Sequence, residues 1–119
     1  MDVPNYRKLV AWQKAHKNAL LLIEILKNCS SKFSGIVIQC LNSATSIGAN
    51  IAEGNAVRSD RQKSSYFEIA LNSGYELDNW LQILKDSGLI CSDKKALLDI
   101  ENRNIEVIKI LTKLIFLNS

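Results

Sequence analysis

Few side chains in this sequence could carry out chemistry. His16 is the only histidine among the 119 residues, and the two most notable carboxylates, Glu53 and Glu76, stand close to glycines in the chain. Di-iron bundles need Glu-x-x-His pairs on two helices, which one histidine cannot supply. No glycine-rich phosphate-binding loop occurs either. A lone histidine in an apolar helical series is more often packed and hydrogen-bonded than catalytic, so we predict a structural role for His16.

Three cysteines, Cys29, Cys40 and Cys91, lie far apart in the sequence. Their spacing forms no CxxC pair that suits zinc, and the odd number argues against a disulfide framework. We interpret them as reduced thiols of a cytosolic protein, with Cys40 a buried and unreactive small hydrophobe. Together with the single histidine, they predict a protein with no metal, no cofactor and no enzymatic activity.

The chain has the size of one domain, which we assign to residues 1–119. Its N-terminal segment MDVPNYRKLVAW lacks the apolar run of a signal peptide. The longest apolar run, residues 19–23, is far shorter than the ~20 residues that span a bilayer. We therefore expect a cytoplasmic protein without a membrane partner.

Glu53 and Glu76 accompany small residues in two helical stretches, and carboxylates in such places need partners. We predict that they join a structural hydrogen-bond network with Asn50 and Ser73 that holds the two helices together. The open alternative is a small-molecule pocket centred on His16, Glu53 and Glu76.

Basic residues are unevenly distributed along the chain. The net charge is +3, and residues 1–30 alone hold five basic residues against two acidic ones. Phosphate attraction is cumulative and needs no sequence motif, so these side chains are candidates for contact with nucleic acid. Solvated surface charge is the alternative for a single chain, whereas a ring would repeat the basic surface in every subunit. The candidate phosphate contacts are Lys8, Lys14, Lys17, Arg58, Arg61 and Lys63.

Apolar spacing predicts four helices, at residues 6–28, 34–54, 60–87 and 93–117. Four helices with short links form an up-down-up-down bundle, so the expected class is all-α. The apolar series of the first helix includes His16 and consists of Leu9, Trp12, Ala19, Ile23 and Leu26. The third helix has a heptad seam formed by Phe67, Ala70, Gly74, Leu77, Leu81 and Leu84.

Glycines and capping residues mark special points of these helices. Gly88 is placed to end the third helix. Gly48, inside the second helix, costs about 0.5–1 kcal/mol relative to alanine, which predicts the close approach of another backbone; a kink or an early helix end is the alternative. The expected N-terminal caps are Ser31 or Ser34 for the second helix, Ser59 or Asp60 for the third, and Ser92 with Asp93 for the fourth.

More apolar positions are present than one bundle needs. A second stripe on the third helix consists of Tyr66, Ile69, Trp80 and Ile83, and the fourth helix adds Ile105, Ile110 and Leu117. Since a single bundle buries only one stripe on each helix, we predict that copies of the chain associate. The alternative is that these residues are scattered singly on the surface, which is common.

Four stretches carry a family resemblance: YRKLVAWQKAHK at residues 6–17, Gln39, SIGANIAEG at residues 46–54, and YFEIALNSGYELD at residues 66–78. In these the chain resembles the proteins encoded in intervening sequences of bacterial 23S rRNA genes. The resemblance implies a four-helix bundle that assembles into a homopentameric barrel. It also implies a fold similar to the accessory variability protein of diversity-generating retroelements, a pentamer that binds a reverse transcriptase and nucleic acid.

The chain departs from the family pattern at three arginines, which are replaced here by Leu41, Asn42 and Leu71. If those arginines bind nucleic acid in the family, this function is lost here or moved to Arg58 and its neighbours. The expected role is a homo-oligomeric interaction protein that serves as an accessory to a nucleic-acid or ribonucleoprotein process. A purely protein-docking module, with a polymerase as the kind of partner, is the alternative.

Overall fold

The computed structural model describes residues 3–90 and 93–118. Its four helices are α1 (Val10–Leu26), α2 (Ser34–Ala56), α3 (Asp60–Ser87) and α4 (Lys94–Leu117). Single turns of 3-10 helix at Asn5–Lys8 and Ser31–Phe33 precede α1 and α2. The described residues include no strand, so the predicted all-α class with four helices is confirmed.

Each helix runs antiparallel to its neighbours in a four-cornered bundle. Lys14 and Asn18 of α1 meet Glu106 and Ile100 of α4, and this reversed order fixes opposite directions. Each helix packs on the one that follows it, and α4 closes the cycle on α1. Contacts between α2 and α3 show the same reversal, from Ser43–Glu76 through Ser46–Ser73 to Gly54–Phe67.

Leucine, isoleucine and alanine side chains form the core. Every member of the heptad seam that the sequence predicts on α3 is buried, because its 3-and-4 spacing keeps one face of the helix toward the bundle centre. Complete burial of a leucine or isoleucine side chain stabilises the fold by about 1.5–3 kcal/mol. The other helices contribute mainly Leu22, Leu26, Cys40, Ile47, Ile51, Leu97, Ile100, Val107 and Leu111.

The buried face of α1 differs from the predicted one. The prediction followed the large residues Trp12 and Ile23, but Trp12 is half-buried and Ile23 is 44% exposed. Small residues allow α1 to approach the bundle closely, and the side chains that face the core are Ala11, Ala15, Asn18, Ala19, Leu22 and Leu26. His16, predicted to be packed among apolar side chains, is exposed instead.

Several helix ends also differ from the predicted ones. α1 begins at Val10 rather than residue 6, because Leu9 has an extended backbone with ψ of 129°. The hydroxyl of Ser30 caps the turn before α2 by accepting a bond from the backbone N–H of Lys32, so the predicted caps at residues 31 and 34 are wrong. α2 continues to Ala56, two residues beyond the predicted end.

The ends of α3 follow the sequence signals. Ser59 accepts a hydrogen bond from the backbone N–H of Gln62, and Gly88 ends the helix in the left-handed conformation with φ of 71°. Asp93 stands at the N-cap position of α4. Cys91 and Ser92 lie outside the described residues.

Gly48 allows a close approach, but its neighbour is a side chain and not the backbone of another helix. A Cβ atom built on Gly48 would lie 3.3 Å from Nε1 of Trp12. The missing side chain therefore makes room for the indole of α1, and α2 continues through this position without a break. The predicted backbone contact is wrong in this respect.

Candidate functional site

A line of hydroxyl and amide groups joins α2 to α3. The hydroxyl of Ser73 donates to the hydroxyl of Ser46 at 2.9 Å, and the amide of Asn50 donates to the backbone carbonyl of Ser46, also at 2.9 Å. Further along, the hydroxyl of Ser43 contacts a carboxylate oxygen of Glu76 at 3.3 Å. We call these five residues the polar seam. Its short side chains let the two helices pack closely while their polar groups stay satisfied.

The polar seam contains three of the four residues that the sequence assigned to a network. Asn50, Ser73 and Glu76 take part, but Glu53 is exposed and makes no hydrogen bond or ion pair with any described residue. Ser43 and Ser46 were missed, although their small polar side chains at helical spacing were the available signal. Because the connecting atoms are hydroxyls and an amide, the seam is a structural joint without a nucleophile–base pair.

His16 lies on another side of α2 from the glutamates. Its ring stacks on Trp12 with centroids 4.6 Å apart and planes 13° apart, and Tyr6 meets the same indole edge-on at 5.2 Å. The two stacked rings border a shallow groove of about 150 Å³ between α1 and α2. Glu76 contacts α2 on its α3 side, so the structure does not form the pocket of His16, Glu53 and Glu76 that the alternative hypothesis requires.

Buried polar contacts between α1 and α4 were not predicted. Asn18 donates to the backbone carbonyl of Ile100 at 3.1 Å and accepts from Arg103 at 3.0 Å, while Arg103 also pairs with Asp99 at 2.9 Å. The guanidinium is thus neutralised by Asp99 and satisfied by Asn18, as a partly buried charge requires. The signal in the sequence was Asn18 itself, a polar residue three positions after Ala15 on the buried face.

Glu101 is a nearly buried carboxylate between α3 and α4. Gln82 donates a hydrogen bond to it, and Lys85 lies 3.1 Å from both of its oxygens. The hydrogen bond from Gln82, together with the hydrogen bond and charge of Lys85, holds the pKa of Glu101 below its ordinary value, although burial acts in the opposite direction. The group fastens two helices and faces no large open cavity.

Cys40 is fully buried in the core of α2, and burial raises the pKa of its thiol to about 12. A thiol that stays protonated is a poor nucleophile, which agrees with the prediction of an inert residue. In residues 3–90 and 93–118, no three His, Cys, Asp or Glu side chains come together in an arrangement that could hold a metal ion.

Two of the six candidate phosphate contacts are used within the bundle. Lys14 pairs with Glu106 of α4, and this partner holds the pKa of the Glu106 carboxyl below its usual range. Lys63 donates to the backbone carbonyls of Gly54 and Asn55 at 3.4 and 3.3 Å, and so caps the end of α2. The candidates that remain exposed, without an ion pair to any described residue, are Lys8, Lys17, Arg58 and Arg61.

The fold divides the charge of the chain between two halves of the bundle. Antiparallel packing gathers residues 3–18, 45–73 and 104–118 into one half, which we call the basic half. Among the described residues this half has nine Lys and Arg against four Asp and Glu, a net charge of +5. The other half has six against seven, a net charge of −1. Basic residues that the sequence prediction missed in this half are Arg7, Lys109 and Lys113.

None of the helices in the described ranges combines the length with the apolar character that a membrane span requires. Large apolar side chains are nevertheless exposed on all four helices, and among them are Leu20, Ile38, Ile69, Tyr75, Leu98 and Phe116. Of the surplus residues predicted from the sequence, Ile69 is 47% exposed, while Trp80 and Ile110 are half-buried against the core.

The architecture defines the class of the protein: an antiparallel four-helix bundle whose helices are joined by buried polar contacts. The family described as 23S rRNA-intervening sequence protein matches residues 7–113. The chain belongs to this family, and the resemblance noted in the sequence is confirmed.

A similar solved structure is that of a protein with unknown function from the S23 ribosomal protein family of Bacteroides thetaiotaomicron VPI-5482. It has 28% sequence identity and a TM-score of 0.78, and the match covers 89% of this chain and 95% of that chain. No curated protein matches the chain significantly.

Proposed function

We propose that this protein is a non-enzymatic, homo-oligomeric bundle that binds RNA or DNA through its basic half. Its role is that of an accessory to a nucleic-acid or ribonucleoprotein process. The observation that carries this proposal is the division of charge into halves of +5 and −1. A net positive region attracts phosphates without any sequence motif, and each neutralised phosphate adds to the affinity by releasing counterions.

Arg58 and Arg61 are the strongest candidates for direct phosphate contact. Both are exposed at the connection between α2 and α3, where the chain turns at one end of the bundle. Lys63 fastens this connection by capping α2, so the two guanidinium groups extend from a fixed support. An unpaired guanidinium can bind a phosphate with two parallel hydrogen bonds, which lysine cannot do. These two arginines take the place of the family arginines that are absent at Leu41, Asn42 and Leu71.

Exposed apolar side chains support the oligomeric part of the proposal. Leu20, Ile38 and Leu98 are each at least 50% exposed, and they lie on three different helices. Association of copies would cover such side chains, and it would also place several basic halves on one particle. Because linked binding sites act together, an assembly binds a polyanion more tightly than one bundle does. The family resemblance implies five copies.

A salt series on RNA and DNA binding tests the nucleic-acid part. If phosphate contacts carry binding, the logarithm of the binding constant should fall linearly with the logarithm of salt concentration. Binding that is absent at low salt, or that has a slope near zero, would contradict the proposal and favour protein docking. Light scattering at micromolar concentration tests the oligomeric part, which a single-bundle mass of 13.3 kDa would contradict.

A charge-matched pair of variants locates the contact. Arg58→Ala combined with Arg61→Ala should weaken binding and reduce the salt slope by about 0.7–0.9 for each phosphate that a subunit no longer neutralises. Lys94→Ala combined with Lys95→Ala removes the same charge from the opposite half and should change the slope little. All four residues are exposed, so folding should be preserved in both variants. An equal weakening in the two variants would refute the assignment to the basic half.

A further inference from the structure

Two adjacent sides of the bundle differ in shape and charge. The first, which we call the α1–α2 face, has a groove with a floor of small residues that include Ala15, Ala19 and Ala44. Exposed apolar side chains border it, among them Leu20 and Ile23 on α1. They share this side with His16, since residues four and seven positions apart lie along one line of a helix.

The α1–α2 face is basic at one end. The turn Asn5–Lys8 packs against α2 and, through Tyr6, against Trp12. This turn brings the exposed side chains of Arg7 and Lys8 to the end of the groove. Glu24 is the carboxylate of α1 nearest to this face, and it pairs with Lys27. The face therefore has a net positive charge.

The second side, which we call the α2–α3 face, lies over the polar seam. Ile69, Glu76 and Ile83 stand seven residues apart on α3, so they form one line, and Glu76 fixes its position by contacting Ser43 of α2. Ile69 is 47% exposed and Ile83 37%. On α2, Glu53 follows Ser46 by seven residues and is exposed. The lines through these residues on the two helices contain two glutamates and no lysine or arginine.

We infer that the α2–α3 face of one copy packs against the α1–α2 face of the next, so that the chains join head to tail in a closed ring. The partner that fits is a second copy, because the two faces have opposite charge and each combines that charge with exposed apolar side chains. The inference rests on the oligomeric part of the proposed function and names the surfaces that form the junction.

The heights of the residues along the bundle agree with this junction. Gly48 is level with Trp12, and Ser46 is level with Ser73, as their contacts show. Ile69, one turn from Ser73, is therefore level with the aromatic end of the groove. Glu53, further toward the same end of α2, is level with the basic turn Asn5–Lys8. If the ring axis is parallel to the helices, groups of equal height meet, and apolar groups then face apolar groups while glutamate faces arginine.

The angle between the faces explains why such a chain of contacts would close. Adjacent sides of a four-helix bundle are about 90° apart. Head-to-tail contacts form rings when the rotation closes and open filaments when it does not, and sides about 90–110° apart close after about four or five copies. Opposite sides of the bundle would give a filament instead. The angle thus agrees with the five copies that the family resemblance implies.

A mixing experiment tests the junction. Variant one, Ile69→Asp with Ile83→Asp, changes only the α2–α3 face; variant two, Leu20→Asp with Ile23→Asp, changes only the α1–α2 face. Each variant alone should have the mass of one chain in light scattering. Mixed in equal amounts they should form a heterodimer and nothing larger, because only one intact face remains on each chain. The mixture is measured at high protein concentration, since a single junction lacks the avidity of a ring.

The control, Leu98→Asp with Ile105→Asp, introduces the same charges seven residues apart on α4. Both side chains are exposed, and this variant should keep the mass of the wild-type ring. A monomeric wild type, a ring that survives in variant one or two, a control that dissociates, or a mixture that stays monomeric would each overturn the inference. Arg58 and Arg61 lie outside both faces, so their effect on nucleic-acid binding is measured independently of the ring.

Discussion

Replacement of Gly54 by alanine tests how tightly α2 and α3 are packed beyond one end of the polar seam. A Cβ atom built on Gly54 would lie 2.7 Å from Cε1 and 2.9 Å from Cδ1 of Phe67, and 3.1 Å from Cβ of Tyr66. Carbon atoms in favourable contact are about 3.5–4.0 Å apart, so roughly 1 Å of space is missing. Phe67 is only 4% exposed, and the Cβ atom of Tyr66 cannot move without its backbone. The added methyl group must therefore push the two helices apart.

The magnitude follows from two opposing effects. Overpacking of a core costs about 1–3 kcal/mol. Alanine is favoured over glycine inside a helix by about 0.5–1 kcal/mol, which offsets part of this cost. We expect Gly54→Ala to lower the free energy of unfolding by about 1–2 kcal/mol, which for a domain of this size lowers the melting temperature by roughly 3–10 °C.

Gly35→Ala is the matched control, because it makes the same change in the same helix. No atom lies within 4 Å of a Cβ atom built on Gly35. This variant should be as stable as the wild type or slightly more stable. Urea and thermal unfolding are measured at one protein concentration, since association makes the melting temperature depend on concentration. If Gly54→Ala were as stable as Gly35→Ala, the inferred close contact between α2 and Phe67 would be refuted.

Two further predictions concern titrating groups. Since the thiol of Cys40 has a pKa of about 12, a disulfide reagent at pH 8 should label it only after unfolding, whereas the half-buried Cys29 should react earlier; peptide mass spectrometry distinguishes them, and equal rates would contradict the burial of Cys40. Glu101 has a lowered pKa in the folded state, so its charge stabilises the fold above the ordinary value near 4.5, and this stabilisation is lost as the pH falls through the folded value. Glu101→Gln should therefore be less stable than the wild type near pH 7 in urea unfolding, and the difference should shrink below about pH 4; a constant difference would exclude the proposed role of its charge.

The positions of α2, α3 and α4 could be predicted from the sequence because large apolar residues repeat along each of them. The seam from Phe67 to Leu84 is the clearest case, since its spacing alone identifies the buried face. α1 was harder because its closest contacts with the bundle are made by Ala11 and Ala15. A pattern search weighted by side-chain size follows Trp12 instead, and its indole fills the space that the absent side chain of Gly48 leaves between two helices.

The candidate site was less predictable, because its parts meet only in the folded chain. The basic half collects residues from three separate segments, and no local charge run indicates it. The contact between Asn18 and Arg103 joins residues 85 positions apart. Within the polar seam, the signal from Ser73 and Asn50 was visible as small polar residues in otherwise apolar helices. Glu53 misled the prediction because sequence proximity to Gly54 says nothing about which way a carboxylate points.

The unequal charge of the two halves gives the molecule an electric direction along its long axis. Near a polyanion such a dipole is turned before any contact forms, so encounters begin with the end that carries Arg58 and Arg61, and their rate should drop steeply as ions are added. Rotational symmetry about an axis parallel to the helices keeps every copy pointing the same way. An assembly built in that manner would be two-sided, with one rim that attracts nucleic acid and another that leaves it alone.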